Sequence, residues 1–169
     1  MKKLIFVLLI LPIFAFSQEE NKIVYDENAG EDIILGVFTQ QGLMKEPFSE
    51  WYTLEYDNYS VDEKILKDLD LDKFQNSEIN IIMGTWCGDS QREVPRFYKI
   101  LEYLKSDKHN IKSIAVNRIK EVPGMQISRL DIEKVPTFIF YLDNIEIGRI
   151  IESPEISLEK DIVKIYSNK

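Results

Sequence analysis

The stretch Trp86-Cys87-Gly88-Asp89-Ser90 holds the one cysteine of a 169-residue chain, and a thiolate is an intrinsically strong nucleophile. The run before it, Ile79-Asn80-Ile81-Ile82-Met83-Gly84, is short, apolar and rich in β-branched residues, which predicts a buried strand. The run after it, Ser90 to Lys105, spaces Val94, Phe97, Ile100, Leu101 and Leu104 by threes and fours, the stripe of a helix packed on a core. Cys87 therefore falls where a strand hands over to a helix. Unpaired amides and the positive dipole end gather there and favour a thiolate over a thiol. A buried, inert cysteine is the alternative, but Gly88 and Asp89 at the helix start argue for an accessible thiol. A single cysteine forms no internal disulfide, so whatever Cys87 does, it does with another molecule.

Other reactive residues are sparse. His109, the one histidine, sits in the polar turn Ser106-Asp107-Lys108-His109-Asn110 with no metal-ligand partner nearby, so it reads as a solvated loop residue. A pairing of Cys87 with His109 across distant segments stays open at this stage. Neither a metal centre nor a cofactor is expected. Lys2 and Lys3 precede an apolar run from Leu4 to Phe16 that ends in Ala15-Phe16-Ser17, the pattern of a secretory signal peptide over residues 1–17 cut before Gln18. The run is shorter than the ~20 residues a membrane span needs and is interrupted by Pro12. The expected product is therefore exported, periplasmic or secreted, with no stable membrane insertion after cleavage. The whole chain has 21 basic and 29 acidic residues, a net charge of −8, and losing Lys2 and Lys3 makes it more negative. Nucleic acid and anionic membrane surfaces are poor partners for such a chain.

The elements that must position Cys87 follow in order. Lys22 to Tyr25 predicts a short edge strand; Glu31 to Gln41, with Ile33, Ile34, Val37 and Phe38 on one face and Gly42 as a stop, predicts a helix. Pro47 opens a second helix in its first turn. Trp51, Tyr52, Tyr56 and Tyr59 form an aromatic patch that either packs the N-terminal segment on the core or offers a partner groove. Ser60 or Asp62 caps a helix carrying Ile65, Leu66 and Leu69. Beyond the Cys87 helix, Ile111 to Asn117 reads as a second central strand. Arg118 to Lys134 reads as a connection with a Pro123-Gly124 turn and a short helix near Gln126 to Leu130. Thr137 to Leu142 and Ile145 to Ile151, divided by Asp143-Asn144, predict a β-hairpin, and Leu158 to Tyr166 a final amphipathic helix. The order, a helical preface and then βαβαββα, predicts an α/β fold with a mixed sheet and helices on both faces.

Trp86-Cys87-Gly88-Asp89-Ser90 at the end of a central strand, Val135-Pro136-Thr137 opening a later strand, and Gly148 in the last strand together resemble the thioredoxin superfamily. The resemblance covers residues 76–169 and leaves residues 18–75 as an N-terminal helical extension packed on the core. It implies a thioredoxin-like three-layer fold, a cis Pro136 facing the thiol, and a groove made of Trp86, Gly88, Asp89, Val135, Pro136 and Thr137. Three departures matter. Ser90 stands where the family has a second cysteine, so a dithiol to disulfide cycle cannot close within this chain. Ile81 stands where the family has a buried acid that serves the resolving thiol. Asp89 places a negative charge beside Cys87 and partly opposes the helix end.

The resemblance thus implies monothiol exchange, isomerase-like or reductase-like. Cys87 would attack partner disulfides, Ser90 would donate a hydrogen bond to the thiolate, and a protein thiol or a small-molecule thiol would complete the cycle. A binding module that has lost turnover and keeps the groove is the second expectation.

Overall fold

The computed structural model describes residues 19–106 and 110–167. The signal peptide expected over residues 1–17 and His109 lie outside them.

A five-stranded mixed sheet organises the chain. Its strands are β3 (Gly36–Val37), β4 (Glu78–Met83), β5 (Asn110–Ala115), β6 (Thr137–Leu142) and β7 (Ile145–Ile151), in the order β3-β5-β4-β6-β7. β4 and β5 are parallel, and the pairs β3/β5, β4/β6 and β6/β7 are antiparallel. β4 runs through the centre, and its alternation sorts two cores. Ile79, Ile81 and Met83 join the larger one, Ile82 the smaller. The larger core lies under α5 (Gly88–Tyr103) and α6 (Leu158–Ser167), which contribute Val94, Phe97, Ile100, Leu101, Leu158, Ile162 and Tyr166. The smaller core is roofed by the connection after β5, through Val116, Val122, Val135 and a 3-10 turn, Ile127–Leu130. This is the mixed sheet with both faces covered that the sequence implied, but the second face is covered by a connection holding one helical turn rather than by a full helix.

Local chemistry explains most boundaries. Asp143 and Asn144 both take positive φ, 52° and 63°, the two-residue turn whose twist suits the hairpin of β6 and β7. The Cys87 helix begins at Gly88, two residues before the position that its apolar stripe suggested. α2 (Ser49–Asn58) begins after Pro47, which follows a cis peptide bond and stands outside the helix rather than in its first turn. The Asp62 carboxylate accepts from the Lys64 and Ile65 amides and caps α3 (Glu63–Leu66). Asp70 accepts from the Lys73 amide at the start of α4 (Leu71–Gln75).

One expectation is overturned. Glu31 to Gln41 is not a helix: β2 (Glu31–Ile34) pairs with β1 (Ile23–Asp26) as a separate hairpin, β3 joins the main sheet, and only Gln40–Leu43 forms a helical turn, α1. The Asp26 carboxylate accepts from the Asn28 and Ala29 amides and Gly30 sits at φ 74°, which fixes the hairpin turn. Gly36 at φ 102° then breaks any helix through the segment. Gly42 lies inside α1 rather than beyond it, because a side chain there would collide with Asn21. The extension is therefore helical over α1 to α4 and also supplies a hairpin and an edge strand.

The aromatic patch packs. Tyr52 is buried, and Trp51, Tyr56 and Tyr59 lie half-buried against the larger core. Around them α2 grips α5: Arg96 donates to Glu55 at 2.7 and 3.0 Å, and Lys99 donates to the carbonyls of Tyr56 and Asp57 at the last turn of α2. The Tyr56 hydroxyl meets the Glu102 carboxylate.

Candidate functional site

The site is built where β4 ends. Four residues, Gly84 to Cys87, turn the chain into α5, and the turn is held from several sides. The Cys87 amide donates to the Gly84 carbonyl at 2.9 Å, and the Gln91 side chain donates to the Thr85 carbonyl at 2.7 Å. The Thr85 hydroxyl accepts from the Ile34 amide of β2, which ties the extension to the same turn. Gly84 is required here because a Cβ would lie 2.5 Å from the Trp86 ring. Trp86 sits over it, its indole N–H donating to the Val116 carbonyl at 2.9 Å.

Cys87 is the N-cap residue of α5, with extended backbone (φ −99°, ψ 121°) and no capping bond from its side chain. Its thiol is half-buried and free, and donates to the Val135 carbonyl at 3.2 Å. The Val135-Pro136 peptide is cis, and the Thr137 hydroxyl donates to the Lys134 carbonyl at 2.7 Å, anchoring the loop before β6. Two segments forty-eight residues apart in sequence thus meet at the sulfur. The bond from Cys87 sets the Val135-Pro136 peptide beside the thiol, while Trp86 turns to Val116 and Thr137 to Lys134. Gly88 is exposed, and nothing lies within 4 Å of where its Cβ would be, so the space beside the cysteine is open.

Two site residues behave differently from their sequence reading. Ser90 is fully buried, and its hydroxyl accepts from the Gly84 amide at 3.2 Å, while the Cys87 thiol is turned to Val135. Ser90 therefore pins the turn and is not brought to the sulfur. Asp89 is not a bare charge: Arg92 donates to it at 2.7 Å and also reaches Glu93 at 2.7 Å and the Ser153 hydroxyl at 2.9 Å. The paired guanidinium offsets the charge that Asp89 brings to the first turn. Ile81 is fully buried in the larger core. No cluster of three or more His, Cys, Asp or Glu side chains suited to a metal ion occurs among the described residues.

Sequence reasoning missed Arg92 and Arg118. Arg92 was legible in principle, three residues after Asp89 on one helix face. The Arg118 guanidinium lies 4.9 Å from the centre of the Trp86 ring, and no local pattern announced it, because the contact joins the end of β5 to the turn after β4.

No family model matches the chain. A thioredoxin-like protein of Acanthamoeba polyphaga mimivirus is 28% identical over 80 residues, 47% of this chain and 56% of that protein, so the match spans little more than half of the relative's length. Among solved structures, thioredoxin O2 from Arabidopsis thaliana aligns over 61% of this chain and 84% of its own, with 16% identity and a TM-score of 0.41. Mitochondrial thioredoxin 3 from Saccharomyces cerevisiae aligns over 58% and 87%, with 23% identity and a TM-score of 0.39. A protein of unknown function from Pseudomonas aeruginosa aligns over 70% and 79%, with 14% identity and a TM-score of 0.46.

Proposed function

We propose that this thioredoxin-fold chain is an exported monothiol protein that performs thiol-disulfide exchange, of isomerase or reductase type, through Cys87. The observation that carries the reading is the setting of the sulfur: a free, half-exposed thiol at the N-cap of a 16-residue helix, with open space over Gly88 and one hydrogen bond to a carbonyl. Export rests on the signal pattern of residues 1–17, with residues 18–75 as the extension and 76–169 as the thioredoxin-like domain.

The chemistry is a sequence of displacements at sulfur. The Cys87 thiolate attacks one sulfur of a partner disulfide; a bond forms between the two sulfurs, the partner's second sulfur leaves as a thiolate and takes a proton. In isomerisation another thiolate of the same partner attacks the partner sulfur of the mixed disulfide, a new partner disulfide forms and Cys87 leaves as a thiolate. In reduction an external small-molecule thiolate attacks the Cys87 sulfur, and the partner leaves as a second thiolate. A second external thiolate then attacks the external sulfur of the Cys87 adduct, releasing the Cys87 thiolate and an external disulfide. When both thiols belong to the partner the result is isomerisation, with no net oxidation. When external thiols supply the electrons the partner is reduced. Trp86, Gly88, Asp89 and the Val135-Pro136-Thr137 loop form the groove. Ser90 keeps the turn in place and offers no resolving thiol, so the cycle depends on an outside one.

A protein with scrambled disulfides, incubated with the chain and a small-molecule thiol, tests this. Regain of native pairing by the wild type, lost in Cys87→Ser with the fold intact by circular dichroism, is the expected result. Equal rates for the two proteins would leave Cys87 without a part in the reaction.

A further inference from the structure

We infer that the disulfide recognised at Cys87 is flanked by an acidic residue, and that Arg118 is the group that receives its carboxylate. The inference rests on the exchange reading and names the substrate chemistry of that site.

Three of the five arginines of the described chain are held by carboxylates: Arg92 by Asp89 and Glu93, Arg96 by Glu55, Arg149 by Glu146. Arg118 is exposed and has no carboxylate within ion-pair distance among the described residues. Its neighbour is the Trp86 ring. In a chain with 29 acidic against 21 basic residues, this leaves an uncovered guanidinium on the ring of Trp86, the residue before Cys87. Arg129, also without such a partner, lies on the same connection after β5. Near the thiol, Asp89 is paired with Arg92 at 2.7 Å and Lys134 with Glu152 at 2.5 Å. Arg118, on the Trp86 ring, has no such partner among the described residues.

Its placement is also fixed. Trp86 is anchored by Val116 and by the space over Gly84, and the guanidinium rests on that ring. The Arg118 guanidinium makes no side-chain hydrogen bond or ion pair among the described residues, so its N–H donors are available for a carboxylate. Ile119, 60% exposed, adds an apolar neighbour. An extended peptide advances ~3.3 Å per residue, so an acidic residue two positions from the partner cysteine falls within reach of the residue beside Cys87. Local charge complementarity of this kind selects partners and register more than it adds affinity.

The test uses the full chain without its signal and three short peptides, identical except for Glu, Gln or Lys two positions from a cysteine carried as a 2-pyridyl disulfide. Cys87 attacks the peptide sulfur, the peptide–Cys87 disulfide forms, and pyridine-2-thiolate leaves and is protonated to the chromophore that is read. The wild type should react about two- to fivefold faster with the Glu than with the Gln peptide at low ionic strength, and the ratio should shrink in salt. Arg118→Gln should abolish the preference, Arg118→Lys should keep part of it, and Arg118→Glu should move it to the Lys peptide. Each peptide rate is divided by the same protein's rate with neutral 2,2′-dithiodipyridine, which removes any effect of the substitution on Cys87 itself. Equal wild-type rates with Glu and Gln peptides, with dithiodipyridine still reacting, would overturn the inference alone. Failure of dithiodipyridine to react at Cys87 would remove the exchange reading and this inference with it.

Discussion

The two halves of α5 are treated differently by the rest of the molecule. Over its middle and C-terminal part the helix is gripped by α2, through Glu55 and Arg96, Lys99 and the last carbonyls of α2, and Tyr56 with Glu102. At its N-terminal end Cys87 has one bond to a carbonyl, Gly88 faces open space, and the extension meets the supporting turn through Ile34 and Thr85 and packs Leu35 on the smaller core that Trp86 and Cys87 also border. The N-terminal extension braces the helix that Cys87 caps and leaves the space over Gly88 open. Bracing and open space are thus placed at opposite ends of one element.

Perturbing each end should show different consequences. The larger effect is expected at the site: in Gly84→Ala the new methyl meets the indole of Trp86 at 2.5 Å, and a ring wedged between Val116 and Arg118 has little room to yield. We expect a stability loss of about 1–3 kcal/mol by chemical denaturation, together with slowed reaction of Cys87 with a model disulfide. Unchanged exchange in a protein that has lost stability would show that the Trp86 seat does not serve the thiol.

A smaller effect is expected at the gripped end. Burial pushes Tyr98 up to about 12, and burial followed by the Glu102 carboxylate pushes Tyr56 up to about 12, both from an ordinary 10.0. The neutral phenols are favoured in the folded state. Their contribution is therefore complete below pH 10, the unfolded value, and is lost as pH rises towards 12. Stability followed by denaturation should fall over that window, and Tyr98→Phe should flatten the fall. A Tyr98→Phe protein with the same alkaline profile as the wild type would place the titration elsewhere.

The parts of the fold legible in sequence were those where local pattern and tertiary context agree. The β6–β7 hairpin was readable because Asp143 and Asn144 tolerate positive φ between two apolar runs. The Cys87 helix was readable because its stripe faces one core. Glu31 to Gln41 failed because Ile33, Ile34, Val37 and Phe38 fit a helical face as well as they fit two strands broken at Gly36. Ile33 and Ile34 are both fully buried although they point to opposite sides, which mimics the stripe. The turn chemistry of Asp26 to Gly30 was the available signal. At the site, residue types were legible and directions were not. Nothing in the sequence says that the Ser90 hydroxyl turns to Gly84, that Arg92 covers Asp89, or that Arg118 crosses to Trp86. Each contact depends on how strand ends meet in space.

The most direct measurement is the rate at which Cys87 reacts with a small neutral disulfide at pH 7, in the folded protein and in the same protein unfolded in urea, with the rates corrected for the effect of urea on a free thiol. A thiol activated at a helix start reacts faster folded than unfolded, and the adduct maps to Cys87 by mass spectrometry. A thiol slower in the folded protein than in the unfolded chain would contradict the account and mark Cys87 as a protected core residue.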